Sequence, residues 1–134
     1  MTYTYSGIQL RPNQWDENLF TLKREVETFV HGSFNAVLAN FYRSGQDYVA
    51  WHSDNEKELG LKPRIASLSL GEERKFILRH KCTREKVEVH LNHGSLLLME
   101  GKTQEDWEHM LPRSKNTNGE RINLTLRKIY GNLI

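Results

Sequence analysis

The sequence predicts a mainly β fold, an antiparallel sandwich with a flanking helix. One early segment has apolar residues at helical spacing. The rest of the chain divides into short apolar runs separated by turn residues such as Gly, Asn and Ser. The chain has 134 residues, no internal repeat and no long Pro/Gly/Ser linker, so we expect a single domain over residues 1–134.

The predicted helix lies between Asp16 and His31, and Gly32 follows it as a stop signal. Its apolar residues recur at steps of three and four: Leu19, Leu22, Val26, Phe29 and Val30. An amphipathic helix of this kind must cover another apolar surface. We therefore expect it to pack against a sheet.

The predicted strands are Phe34–Tyr42, Tyr48–His52, Ile65–Leu70, Lys75–His80, Lys86–Leu91, Ser95–Met99 and Arg121–Tyr130. In the last strand Ile122, Leu124 and Leu126 alternate with polar residues, so the apolar and polar side chains point to opposite faces. A solvated outer face explains this pattern. An anionic ligand inside the sandwich also explains it, because arginine pairs with a carboxylate in a bidentate manner.

Composition excludes several classes of protein. The net charge of +2 is too small to predict a polyanion partner by itself. Cys82 is the only cysteine, which excludes an internal disulfide and fits a reducing compartment, so we expect the cytoplasm, or the nucleus in a eukaryote. No run approaches the ~18 apolar residues of a membrane span, and we expect no membrane partner.

His52 and Asp54 stand two residues apart at the end of a predicted strand, so their side chains can face the same way. With one more histidine they would form a two-His, one-carboxylate triad, the donor set of non-haem Fe(II), although Zn²⁺ would accept the same ligands. The candidate third ligands are His80, His90, His93 and His109. We favour His109, because it lies in a short apolar segment before Pro112 and a loop can return the chain from there to Arg121.

At these residues the chain resembles the AlkB-type family of iron- and 2-oxoglutarate-dependent dioxygenases, which reverse alkylation damage on nucleic-acid bases. The eukaryotic-type members are the most similar. The resemblance covers about Tyr3 to Tyr130 and is based on the segments NFYRSG, WHSDNE, PRIASLSLG, HGSLLLMEG, WEHMLP and RINLTLRKIY. It implies a double-stranded β-helix (jelly-roll) core, and it favours a last strand whose polar face points inward.

The resemblance also implies roles for individual residues. It implies that His52, Asp54 and His109 bind Fe(II). It implies that the cosubstrate 2-oxoglutarate is bound by Asn40, Tyr42, Arg121, Asn123 and Arg127, with the two arginines near its two carboxylates. It further implies that the substrate is contacted by Tyr3, Tyr5, Asn55 and Glu56, although terminal tyrosines can pack on the helix and acidic loop residues are usually solvated. No catalytic residue beyond the metal ligands is expected, since iron generates the oxidant.

The function implied is oxidative demethylation of N1-methyladenine and N3-methylcytosine, consuming 2-oxoglutarate and O₂ and releasing succinate, CO₂ and formaldehyde. We expect the family's N-terminal nucleotide-recognition lid to be largely absent. We therefore also expect a preference for single strands, because extruding a base from a duplex costs a few kcal/mol. The expected partner is alkylated single-stranded DNA or RNA, and the expected oligomeric state is a monomer.

Two alternatives stay open. One is an oxygenase acting on another substrate, such as a modified RNA base, a nucleotide or a small molecule. The other is a nucleic-acid-binding module without turnover. A mixed-charge segment between Glu72 and His90 could bind phosphates or could be an exposed hairpin without a ligand. Its basic residues are Arg74, Lys75, Arg79, Lys81, Arg84 and Lys86.

Overall fold

The computed structural model describes residues 3–5, 8–10, 15–117 and 119–130, and the first two segments as backbone alone. The strands are β1 (Tyr3–Tyr5), β2 (Ile8–Leu10), β3 (Ala36–Tyr42), β4 (Val49–His52), β5 (Ile65–Gly71), β6 (Arg74–His80), β7 (Lys86–Leu91), β8 (Leu96–Met99), β9 (Trp107–Leu111) and β10 (Arg121–Arg127). The helices are α1 (Glu17–Val30), a short 3-10 turn (Lys57–Leu59) and α2 (Thr103–Asp106). Neither α1 nor α2 is long and apolar enough to cross a membrane.

Eight strands form two four-stranded antiparallel sheets, in the orders β3-β10-β5-β8 and β4-β9-β6-β7. From β3 through β10, each successive strand lies in the other sheet from the strand before it, except that β6 and β7 form a hairpin within one sheet. This winding is the double-stranded β-helix, so the predicted antiparallel sandwich with a jelly-roll core is confirmed. The strands β1 and β2 pair with each other as a separate ribbon.

The predicted helix is confirmed as α1, and the capping residues explain its ends. Asp16 is the N-cap, and its Oδ1 accepts the Leu19 N–H at 2.8 Å. His31 has a left-handed backbone with φ of 54°, which ends the helix. The core between α1 and the first sheet consists of Val26, Val30, Phe34, Ala66, Leu68, Leu124 and Leu126. Phe29 is the exception in the predicted stripe, because it is 79% exposed.

Five elements were not predicted: β1, β2, the 3-10 turn, α2 and β9. The segment Trp107–Leu111 is a strand, but its inward side chains include the polar His109, so hydrophobic alternation did not reveal it. The four-residue α2 is too short to show helical periodicity. The predicted strand Arg121–Tyr130 ends at Arg127, and the first predicted strand begins at Ala36 rather than Phe34.

Candidate functional site

The pairing of β4 with β9 creates a cluster of metal-binding side chains. Their register places His52 opposite His109, with the ring centroids 4.3 Å apart. Asp54 follows β4 and is buried, with its Oδ2 3.5 Å from His109 Nε2 and its Oδ1 3.7 Å from His52 Nε2. One ligand atom from each residue lies within 4.8 Å of the others. The structure thus selects His109 among the four candidate histidines.

The electrostatics of this cluster favour the ligand forms of its side chains. Burial, reinforced by the nearby His109, holds the pKa of His52 below its usual value, so its imidazole is neutral at pH about 7. Burial by itself would raise the pKa of Asp54, but the hydrogen bond with His109 and the charge of Arg127 outweigh it and lower the pKa. Two imidazoles and one carboxylate on one side of a cavity are the donor set of an iron facial triad.

Hydrogen bonds to neighbouring groups set the orientation of the ligands. His52 Nδ1 lies 2.8 Å from the Ala50 carbonyl oxygen, which leaves Nε2 facing the cluster. The backbone N–H of Asp54 donates to the amide oxygen of Gln104 at 2.8 Å, and Gln104 is itself 2% exposed. Ser53 Oγ donates to the Trp107 carbonyl at 2.7 Å. The loop after β4 is therefore fastened to α2 and to the start of β9.

The polar face of β10 points between the sheets, and the predicted inward-facing strand is confirmed. The four side chains of this polar face are buried: Arg121, Asn123, Thr125 and Arg127. The register places Arg121 opposite Tyr42 and Asn123 opposite Asn40 on β3. The apolar residues Leu124 and Leu126 pack on the other face against α1. One strand therefore supplies both the helix-covered core and the wall of a polar cavity.

Arg121 is a buried cation without a carboxylate partner among the described residues. It is 2% exposed, and its Nη2 donates to Ser69 Oγ at 2.9 Å. Its guanidinium carbon lies 4.9 Å from the centroid of the Tyr42 ring. Burial lowers the pKa of Arg121 and raises that of Tyr42, which shows how far both groups are removed from water. A buried guanidinium in this setting is suited to binding a carboxylate ligand.

Arg127 lies at the other end of the β10 face, beside the metal cluster. Its Nη1 is 4.0 Å from Asp54 Oδ1, and its Nη2 donates to Thr125 Oγ1 at 2.9 Å. Asn123 Nδ2 donates to Ser67 Oγ at 2.8 Å and to the Leu68 carbonyl. The cavity therefore runs from the metal cluster to the Arg121 guanidinium along one strand.

All eight residues predicted to bind iron or 2-oxoglutarate line this one cavity. The cavity wall also contains residues that sequence reasoning missed: Val49, Ser67, Phe76, Leu91, Met99, Leu111 and Thr125. Phe76 packs against the His109 ring at a centroid distance of 5.2 Å. These residues lie on seven different strands, β4 to β10, so a single sequence gives little signal for their meeting in one cavity. Thr125 could have been found, because it shares the polar face of β10.

A family model described as the 2OG-Fe(II) oxygenase superfamily matches residues 1–127. The chain belongs to this superfamily. It is 44% identical over 140 residues to the alpha-ketoglutarate-dependent dioxygenase alkB homolog 3 of Mus musculus, a match that covers 97% of this chain and 49% of that protein. It is 42% identical over 137 residues to the DNA oxidative demethylase ALKBH2 of Bos taurus, with 96% and 49% covered. These similarities make it an AlkB-type member.

The solved structure of OsALKBH1 superimposes with a TM-score of 0.66 at 18% identity, covering 88% of this chain and 68% of that one. This likeness shows the shared fold. The chain spans about half the length of the curated relatives it matches. Membership in the superfamily implies Fe(II) and 2-oxoglutarate. The donor set of the His–Asp–His cluster fits Fe(II), and Arg121, which has no carboxylate partner among the described residues, fits a carboxylate of 2-oxoglutarate.

The structure gives less support for the residues predicted to contact the substrate than for those predicted to bind iron or 2-oxoglutarate. Asn55 is exposed and Glu56 is half-buried, and neither is part of the cavity lining described above. Of Tyr3 and Tyr5 only the backbone is described, in β1, so their side chains lie outside the described structure. Their roles stay predictions.

The prediction that the mixed-charge segment between Glu72 and His90 could bind phosphates needs a partial correction. Arg74 is 2% exposed and donates to the carbonyls of Ser44, Asp47 and Pro112. It therefore ties two loops together and is not available to a phosphate. Arg79 is bound to Glu108, with its Nη2 2.6 Å from the carboxylate.

Proposed function

We propose that this chain is an Fe(II)- and 2-oxoglutarate-dependent dioxygenase that removes N-alkyl groups from nucleic-acid bases. The observation that supports this most strongly is the arrangement of one cavity. A His–Asp–His cluster stands at one end, and Arg121, a buried guanidinium without a carboxylate partner among the described residues, stands at the other. A structural cavity would not require either feature, because both are expensive to bury.

The proposed roles follow from the positions of the side chains. His52, Asp54 and His109 would hold Fe(II), and the remaining coordination positions would face the cavity. Arg121 would pair with the carboxylate of 2-oxoglutarate far from the metal, beside Tyr42. When bound, Fe(II) would couple oxidative decarboxylation of 2-oxoglutarate by O₂ to hydroxylation of the N-alkyl carbon.

The described protein groups bind, orient and exclude water, and the reaction requires no general base from the chain. Asn123 and Asn40 lie side by side on adjacent strands, where their amides can hydrogen-bond the cosubstrate. Phe76, Leu91 and Met99 form the apolar part of the wall. This part of the cavity would limit access of water to a bound metal ion.

We propose N1-methyladenine and N3-methylcytosine in single strands as the substrates. A hydroxylated N-methyl group leaves as formaldehyde and restores the base. DNA is favoured over RNA because the similar bovine protein is named a DNA oxidative demethylase. Single strands are favoured because the base need not be extruded from a duplex, which saves a few kcal/mol. We further propose that the protein acts as a monomer in the cytoplasm or nucleus.

The test measures formaldehyde and succinate released with Fe(II), 2-oxoglutarate and a single-stranded oligonucleotide that carries either lesion. We expect equal amounts of the two products, loss of both in His52→Ala, and retention in His90→Ala. His90 is a matched control because its side chain is 58% exposed and lies on β7, away from the cavity. Succinate without formaldehyde would refute the substrate. Release of neither product by the metal-loaded protein would refute the activity and favour a binding module.

A further inference from the structure

A groove lies beside the cavity, at the open edge of the sandwich. β3 and β4 are edge strands of the two sheets, and the groove runs between them. It shares Asn40, Tyr42 and Val49 with the cavity lining, so the two are continuous. The function proposed above does not use this groove.

Exposed aromatic groups and arginines line the groove. Phe41 is 56% exposed and Tyr48 is 49% exposed. The guanidinium carbon of Arg113 lies 4.0 Å from the centroid of the Tyr48 ring, a stacking distance. Arg113 Nε also donates to the Gln46 carbonyl at 3.2 Å. The Arg113–Tyr48 pair thus combines an aromatic ring with a positive charge on the surface of the groove.

The charge of the groove favours an anionic partner. Its described lining includes one carboxylate, Asp47, which is bound by Arg43 through two side-chain hydrogen bonds of 3.0 Å. Within residues 15–117 and 119–130, the terminal amino groups of Arg113 make no hydrogen bond. The groove therefore presents donors and one positive charge that Asp47 does not neutralise. These donors fit the oxygens of a phosphate.

We propose that this groove binds single-stranded DNA next to the nucleotide in the cavity. A neighbouring base stacks on the Arg113–Tyr48 pair, and its phosphate accepts from the terminal amino groups of Arg113. Stacking on aromatic and guanidinium planes is how single strands are held without sequence preference. Tyr48 stands four residues before His52, at most about 13 Å along an extended strand. A single-stranded DNA with one base at the metal site spans this distance within a few nucleotides.

This inference names a substrate surface for the proposed function and therefore rests on it. The test measures binding of the full chain to a labelled, unmodified single-stranded oligonucleotide by fluorescence anisotropy at several salt concentrations. We expect Tyr48→Ala to raise Kd about 5–20-fold, and Tyr48→Phe to bind like the wild type, because the phenyl ring retains the stacking face. The matched control is Tyr130→Ala, since Tyr130 is 48% exposed and lies outside the groove.

The arginine separates stacking from charge. Arg113→Ala should weaken binding and reduce the slope of log K against log salt by about 0.7, which is one phosphate contact to a single strand. Arg113→Lys should keep that slope and still bind more weakly than the wild type, because an ammonium group cannot stack as a planar guanidinium does.

An oligonucleotide of the same length without bases tests the stacking directly. We expect Tyr48→Ala to bind this abasic strand as the wild type does. An equal loss on the abasic strand, an equal loss in Tyr130→Ala, or unchanged binding in Tyr48→Ala would overturn the proposal. If the wild type releases formaldehyde while Tyr48→Ala binds DNA normally, the groove proposal alone is wrong. If the groove variants lose DNA binding while the wild type releases no formaldehyde, the demethylase proposal alone is wrong.

Discussion

Replacing Arg121 by methionine should separate ligand binding from folding. Arg121 is 2% exposed, and its hydrogen bonds to described residues include one to Ser69 Oγ but none to a carboxylate. A buried charge of this kind costs folding free energy, and replacing buried ionic groups by apolar ones of similar volume is often neutral or stabilising by about 1–4 kcal/mol. The Ser69 hydroxyl would lose its partner at a cost of about 1 kcal/mol. Without 2-oxoglutarate we therefore expect the stability of Arg121→Met to lie between about 1 kcal/mol below and about 3 kcal/mol above that of the wild type.

The wild type should gain stability from 2-oxoglutarate, and Arg121→Met should not. A ligand at 100 times its Kd stabilises the folded state by about 2.7 kcal/mol. For 134 residues, an unfolding entropy of about 2.1 cal/mol/K per residue amounts to about 0.28 kcal/mol/K. The expected rise in Tm is therefore about 10 °C for the wild type and close to zero for the variant.

The assay is thermal unfolding with Fe(II) in the absence of O₂, with and without 2-oxoglutarate. Arg43→Met is the control, because the Arg43 side chain is 79% exposed, and it should keep the full rise in Tm. The reasoning would be refuted if Arg121→Met kept the rise, or if it lost several kcal/mol without 2-oxoglutarate. The second result would show that Arg121 stabilises the fold rather than binding the cosubstrate.

Three further predictions concern the metal and the helix. Gln104→Leu removes the acceptor for the Asp54 N–H and should weaken Co²⁺ binding about 10–100-fold in a competition titration. Gln104→Glu retains an acceptor oxygen and should lose less affinity. Equal losses in the two variants would contradict the role of the acceptor. Chelation should remove the 2-oxoglutarate-dependent rise in Tm, and added Co²⁺ should restore it; a rise that survives chelation would count against the metal site. Glu27→Gln should cost about 1 kcal/mol at neutral pH. Its amide oxygen can still accept the Phe34 N–H, which Glu27 Oε2 accepts at 2.7 Å, but this hydrogen bond is no longer charge-assisted and the ion pair with Lys23 is lost. Burial raises the pKa of Glu27, but the hydrogen bonds from Phe34 and Lys23 outweigh it and lower the pKa. This stabilisation is complete above the unfolded pKa of about 4.3 and is lost as the pH falls through the lower folded pKa. In urea unfolding, the difference in free energy of unfolding between Glu27→Gln and the wild type should therefore vanish in acid. A difference that does not change with pH would contradict this role of Glu27.

The parts of the fold that could be predicted are those with a strong local pattern. The helix α1 has apolar spacing and the Asp16 cap within one segment, and β10 has strict alternation. The polar face of β10 was ambiguous by itself, since solvent and a buried cavity select the same residue types. The motif resemblance, rather than the alternation, favoured the inward orientation.

The features that escaped prediction depend on contacts between distant segments. Gln104 reaches Asp54 across 50 residues of sequence, and its role is visible only once α2 lies against the loop after β4. Arg74 resembled a surface cation, but its guanidinium is buried by three carbonyls from two other loops. A sequence pattern records residue types and spacing, and it contains no information on which loops meet.

The most direct test of the account is a crystal structure of the protein grown with Mn²⁺ and 2-oxoglutarate in the absence of O₂. We predict a metal ion bound by His52, Asp54 and His109, and 2-oxoglutarate in the cavity with its distal carboxylate on the Arg121 guanidinium. A metal bound by other residues, or a 2-oxoglutarate molecule whose carboxylates both lie away from Arg121, would contradict it.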